Sequence, residues 1–113
     1  MKKKDLLKTI HNIGVGVVII TMGKKGSLFY DGTNFYKTGI MRMKRKDSAG
    51  SGDAFFATFI SAQLKGESTK DSLKLATINA AHVASVFGAQ KGLLKWGELK
   101  SKLKESKVII KEF

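Results

Sequence analysis

Polar and apolar positions alternate along the chain in two periods. From Lys3 to Asn12, Leu6, Leu7 and Ile10 recur at helical spacing among polar residues, which predicts a short amphipathic helix. Gly14 and Gly16 end it. Val17 to Thr21 is apolar and β-branched with no alternation, the pattern of a strand covered on both faces. Gly23-Lys24-Lys25-Gly26 reads as a turn and Ser27 to Tyr30 as a second strand. Asp31-Gly32 is a hairpin signal, with Asn34 to Lys37 as the returning strand. Ile40, Met41 and Met43 suggest one more strand, made polar by Arg42 and Lys44 to Lys46.

The period then changes. Gly52 to Gln63 pairs Phe55 with Phe59 and Phe56 with Ile60, a helix that Gly66 stops. Thr69 to Phe87 predicts a longer helix, with Thr69 as its N-cap, Asp71 in its first turn and Gly88 at its end. Its Leu73, Ala76, Ala80 and Ala84 form a face of mostly small residues that admits close approach. Gly92 and Leu93 read as a loop. Trp96 to Glu105 predicts a last amphipathic helix, with Leu99 and Leu103 inward and Trp96 packing it down, and Val108 to Ile110 a terminal strand. Strands alternating with helices predict an α/β fold. No internal repeat, low-complexity tract or linker interrupts the pattern.

Composition narrows the classes. At 113 residues the chain has the length of one domain, and at 42 % hydrophobic residues it can bury a modest core. It contains no cysteine, so a disulfide framework and a thiolate metal site are excluded. That fits a reducing compartment, and the expected location is cytoplasmic. Lys2 to Lys4 followed by Ile13 to Ile20 mimics the start of a signal peptide, but Asp5, Lys8 and His11 intervene and no small-residue cleavage site follows. The apolar run is too short to span a membrane. Net charge is +12, from 21 Lys and Arg against 9 Asp and Glu. Such an excess attracts nucleic acid, acidic membranes or phosphorylated small molecules. The lysines are scattered, not gathered on one face with aromatics, so a solvated surface explains them and a nucleic-acid partner rests on charge alone.

The chemistry concentrates in Asp47-Ser48-Ala49-Gly50-Ser51-Gly52-Asp53, which runs straight into the Phe55 helix. A small-residue loop entering a helix leaves several backbone N–H groups without intrahelical partners, and the helix dipole adds positive charge there. That is an anion site suited to phosphate. Asp53, at the same helix start, is placed to accept a proton from a hydroxyl attacking phosphorus. The ordinary alternative is that Asp53 only stabilises its helix, by roughly 0.3–1 kcal/mol.

The segment from Asp47 to Phe55 resembles the C-terminal signature of the ribokinase (PfkB) family of carbohydrate kinases. Upstream, Thr21-Met22-Gly23-Lys24-Lys25-Gly26 is similar to the family's nucleotide-contact turn. Downstream, Asn79-Ala80-Ala81 and Gly88-Ala89-Gln90 resemble the helix and loop beside the adenine. The order of these motifs matches the family, and the resemblance covers nearly the whole chain. It implies the C-terminal part of a ribokinase-like, three-layer α/β/α (Rossmann-like) fold. Residues 1–113 would then be a single partial domain, without the N-terminal sugar-binding and lid portion.

The resemblance also assigns roles. Asp53 would be the general base, and the backbone amides of Gly50, Ser51 and Gly52 the anion hole. Thr21, Gly23 and Gly26 would contact ATP, and Asn79 would lie near the adenine. Mg²⁺ would arrive with ATP. Asp47 could join the monovalent-cation (K⁺) site of some members, although loop capping suits it better beside Arg45 and Lys46. Plain structural roles stand against each: strand end and turn for Thr21 and Gly23, a solvent-facing helix position for Asn79. His11 and His82 lack a partner pattern and read as surface or boundary residues, and the methionines as core filler.

Two local features depart from the family: Thr58, where a small residue is usual, and the basic run Lys44 to Lys46. The family's Gly-Gly motif, lid strands and Asn-x-x-Glu motif are absent from this sequence. The expected function is therefore ATP-dependent phosphoryl transfer to a sugar hydroxyl by a chain incomplete on its own. It would need a homo-oligomer or a partner chain supplying the missing portion, and its first strand would lack sheet neighbours. The alternatives are a non-catalytic nucleotide-binding module, half of a split kinase and, from charge alone, a basic nucleic-acid-binding domain.

Overall fold

The structure is a computed structural model that describes residues 2–41, 51–85 and 94–113. It divides into two compact units, Met1–Gly39 with Ile110–Phe113, and Ile40–Ile109.

The first unit is a helix on a four-stranded sheet. α1 spans Lys3–Asn12, with Asp5 in its first turn, complementing the helix dipole, and His11 in its last. The strands β1 (Val18–Thr21), β2 (Ser27–Tyr30), β3 (Phe35–Thr38) and β4 (Ile110–Glu112) lie in the order β1-β2-β3-β4. All three pairings are antiparallel. Register places Val18 opposite Tyr30, Ile20 opposite Leu28 and Tyr30 opposite Phe35, so these residues share one face. On that face Val18 and Leu28 pack with Leu7 of α1 as a buried cluster, closed by Ile10, Ile20, Met22, Tyr30, Phe35 and Phe113. The other face carries Ser27, Phe29, Tyr36 and Thr38, all buried.

The hairpin predicted at Asp31-Gly32 forms. The Asp31 carboxylate accepts from the backbone N–H of Thr33 at 2.9 Å and of Asn34 at 2.7 Å, closing the loop. Tyr30 and Phe35 stack across its base at 4.1 Å. Lysines cover this aromatic surface: the ammonium of Lys4 lies 5.1 Å from the Phe35 ring centre and that of Lys8 5.8 Å.

The second unit is helical. α2 spans Ser51–Leu64, α3 Thr69–Ala84 and α4 Trp96–Glu105. α2 buries Ala54, Phe55, Thr58, Phe59 and Ala62. α3 presents a wider buried set than the small-residue face expected of it: Ser72, Leu73, Leu75, Ala76, Ile78, Asn79 and Val83, with Ala80 only half-buried. Its N-cap is Ser68, not Thr69, because the Ser68 hydroxyl accepts the Asp71 N–H at 3.1 Å. It ends at Ala84 with Ser85 as its cap, short of Phe87. α4 buries Leu99 and is tied to the α2–α3 turn by the Lys100–Glu67 ion pair at 2.6 Å. Trp96 is half-buried under the ammonium of Lys65, 5.0 Å from its ring centre.

The strand expected at Ile40 and Met41 is not formed there, and Met43 lies outside the described residues. The terminal strand falls two residues later than expected. Val108 is buried ahead of it, and pairing with β3 begins at Ile110.

Candidate functional site

The first group of site residues sits in one turn. β1 ends at Thr21, which is exposed and pairs with Ser27 at the start of β2. Between them Gly23 to Lys25 makes a single 3₁₀ turn, closed by a bond from the Met22 N–H to the Gly26 carbonyl at 2.8 Å. The fold itself demands glycine at 26. Its φ is +87°, and a Cβ there would stand 2.0 Å from the Thr38 carbonyl oxygen. Gly23 also has a positive φ, +55°, but a Cβ there would meet nothing. Thr21, Gly23 and Gly26 thus lie together in one turn at a strand end, with Gly23 open beside it.

The second group is at the start of α2. Ser51 opens the helix, Gly52 follows, and Asp53 lies in the first turn with Gly52 and Asp53 exposed. The first N–H groups of any helix have no intrahelical acceptor and point outward along the axis. Gly52 has no positive φ, and a Cβ there would meet nothing within 4 Å among the described residues. In a helix glycine is less stable than alanine by about 0.5–1 kcal/mol. A helix start beside an exposed carboxylate is an arrangement able to receive an anion and a hydroxyl. Gly50 and Asp47 lie outside the described residues, as do Gly88, Ala89 and Gln90.

Asn79 is placed differently from a solvent-facing residue. It is buried, and its amide bridges two segments. The Leu94 N–H donates to its Oδ1 at 3.0 Å, and its Nδ2 donates to Thr58 Oγ1 at 2.9 Å. The Leu94 donor fixes which amide atom is the oxygen. Thr58 in turn donates to the Ala54 carbonyl at 2.6 Å, one turn nearer the start of α2. A relay of hydrogen bonds therefore runs from the chain before α4, through α3, to the first turns of α2. Thr58, read from sequence as bulk where a small residue is usual, supplies the hydroxyl this relay needs. The available signal was a hydroxyl on the buried row of one helix and an amide on that of the next.

His82 is half-buried on α3, and its Nε2 is buried with no hydrogen-bond partner among the described residues. Desolvation, helped by nearby Lys102 and opposed by Glu98, pushes its pKa below the ordinary 6.5. His11 packs edge-on against Tyr30 at 5.1 Å. Among the described residues no group of three or more His, Cys, Asp or Glu converges as a metal site.

The fold defines a class. Solved structures that superpose on this chain are ribokinase-fold kinases. The ribokinase of Arabidopsis thaliana, solved with ribose and ATP, matches with a TM-score of 0.83 at 28 % identity, over 91 % of this chain and 34 % of its own. A ribokinase from Thermotoga maritima has the same fold, with a TM-score of 0.83 at 24 % identity over 92 % of this chain and 35 % of its own. The family model for pfkB family carbohydrate kinases matches residues 2–96, and the chain belongs to that family.

Among curated relatives, the ribokinase of Lactococcus lactis is 37 % identical over 106 residues, 93 % of this chain and 34 % of its own length. The cytidine kinase of Thermococcus kodakarensis is 32 % identical over 97 residues, 84 % of this chain and 32 % of its own length. The chain thus spans about a third of the relatives it matches.

Proposed function

We propose that this chain is the C-terminal, nucleotide- and phosphate-binding part of an ATP-dependent sugar kinase, a single partial domain whose sugar-binding portion comes from elsewhere. The observation that carries the reading is the start of α2: an exposed Asp53 in the first turn, beside a glycine with open space around it among the described residues. Relatives named for a sugar and for a nucleoside both fit such a site, because the acceptor is a hydroxyl in either case.

In this reading Asp53 takes the proton of the acceptor hydroxyl as its oxygen bonds to the γ-phosphorus and the bond to the ADP oxygen breaks. The N–H groups of Gly50, Ser51 and Gly52 take up the charge on the transferring group. Thr21, Gly23 and Gly26 offer the nucleotide bare backbone at the β1–β2 turn. The buried bonds of Asn79 make its role near adenine that of holding α2 and the segment at Leu94 in place. Mg²⁺ bound with the nucleotide supplies further charge neutralisation, and one neighbour, a ribokinase-like protein of E. coli, was solved with ATP and Mg²⁺. Asp47 is the residue proposed for a K⁺ site. A cytoplasmic location belongs to the same reading. No described helix is long and apolar enough to cross a membrane.

Calorimetric titration of Mg·ATP into the chain and into Asp53→Asn tests the reading, followed by sugar-dependent ADP formation once the sugar-binding portion is supplied. Nucleotide affinity should be nearly unchanged by Asp53→Asn, while turnover falls by about 10²–10⁴-fold. Turnover that survives Asp53→Asn would remove it as the base. Nucleotide binding with no turnover in any reconstitution would favour the second reading, a non-catalytic nucleotide module.

A further inference from the structure

The fold gathers lysines that the sequence scatters. Within the first unit, the sheet face that α1 packs on continues past Leu28 and Tyr30 to Phe35, Lys37 and Lys111. Lys37 of β3 stands directly opposite Lys111 of β4, and both are exposed. Lys4 and Lys8 reach the same place from α1, four residues apart. The Lys4 ammonium lies 5.1 Å from the centre of the Phe35 ring and 5.8 Å from that of Phe113, and the Lys8 ammonium 5.8 Å from that of Phe35. Like charges one helical turn apart, or opposite each other on paired strands, repel. Nothing offsets them: among the described residues no carboxylate comes within 4 Å of any of these ammoniums. Asp5 lies between Lys4 and Lys8 in sequence and pairs with neither. The Asp31 carboxylate takes the Thr33 and Asn34 N–H groups, and Glu112 stands opposite Tyr36 on the other face of the sheet. A ring face attracts an ammonium and holds it in place without cancelling its charge.

We infer that the surface formed by Lys4, Lys8, Lys37 and Lys111 binds the phosphate backbone of a nucleic acid, without regard to its sequence. Charge density selects this partner. The backbones of each lysine pair stand about 5 Å apart, one α-helical turn or one strand spacing. A duplex carries about one negative charge per 1.7 Å of its axis, dense enough to face all four ammoniums at once. Residue type excludes base reading. All four are lysines, point charges that suit phosphate, with no arginine fork to match a base edge. The Phe35 ring is taken up by Tyr30, stacked at 4.1 Å, and by the ammoniums, so it offers no platform for an unpaired base. Every element of this surface belongs to the first unit, and the inference is independent of the kinase reading.

The test is fluorescence anisotropy of a fluorescein-labelled 20-base-pair DNA duplex titrated with the 113-residue chain over a series of salt concentrations. Two double variants remove the surface by halves, Lys4→Gln with Lys8→Gln and Lys37→Gln with Lys111→Gln. Lys65→Gln with Lys104→Gln, in the second unit, removes the same charge elsewhere. Circular dichroism melts verify that each variant folds. The expected result is binding that weakens about tenfold in each surface variant, with the logarithmic salt dependence shallower by about one per lysine removed. The control variant should bind as the natural chain does, duplexes of different sequence should bind alike, and Mg·ATP should not displace the DNA. No binding at low salt, or an equal loss in the control, which would mark net charge alone, would overturn the inference. So would a lower melting temperature with unchanged DNA affinity in the surface variants, the mark of lysines kept for packing on the rings. Lysine-dependent capture by phosphatidylserine vesicles without DNA binding would make the partner a membrane and overturn it as well.

Discussion

Gly52 separates function from structure at the scale of a single residue. A Cβ there has open space among the described residues, so alanine should fit without strain. Gly52→Ala should leave the melting temperature unchanged or raise it, by a stabilisation of up to about 1 kcal/mol. Under the proposed reading the same methyl group would stand where a phosphoryl oxygen approaches, so nucleotide affinity should fall in calorimetry. Gain of stability with loss of binding marks a residue kept for its ligand, and affinity that follows stability upward would count against the anion site. Gly26 is the opposite case: its close approach to the Thr38 carbonyl makes glycine a requirement of the fold whatever binds there.

His82 adds a pH dependence. Burial disfavours the charged form of its ring in the folded state, so its pKa is lowered there. The unfolded chain then takes up the proton first as pH falls through the ordinary value of 6.5. The groups facing the ring, Lys102 and Glu98, pull in opposite directions, and the net shift stays downward. Its contribution is complete above that value and lost progressively below it. Urea midpoints at about pH 7.5 and about pH 5.5 should therefore differ more for the natural chain than for His82→Leu. Equal differences in the two proteins would show that His82 does not titrate with unfolding.

Between elements, the hydrogen bonds joining Leu94, Asn79, Thr58 and Ala54 hold α2, α3 and the approach to α4 in one arrangement. Asn79→Ala strands the Leu94 N–H and one side of Thr58, and should cost about 1–3 kcal/mol in denaturant unfolding. The effect should not add to that of Thr58→Ala, since both changes break one connection, and full additivity would argue against coupling. This relay also shows where a sequence stops being legible. The bounds of α1, β2 and α4 follow from apolar spacing and capping alone, because those signals are local. The partnership of Thr58 with Asn79 spans 21 positions, and no local pattern carries it. The cap of α3 falls one residue from its expected place because Ser68 and Thr69 offer the same hydroxyl and only geometry chooses between them. The start of α2 is legible, since small residues leading from a loop into an apolar helix form a contiguous, local signal.

Considered as a whole, the molecule spreads its charge unevenly. Lysines cover the aromatic surface around Phe35 and Trp96, while α2 has none. A charge count of +12 suggests a uniformly basic particle, and the structure replaces that picture with a basic chain carrying one uncharged helical face. The antiparallel ladder has a further consequence. β4, at the far end of the chain, completes the sheet that β1, β2 and β3 begin, and the whole helical unit lies between them in sequence. During synthesis the helices can pack as soon as they leave the ribosome, each touching neighbours close in sequence, whereas the sheet must wait for the last residues to emerge. Until then the β3 edge is open, so strands made before the helices are completed only after them.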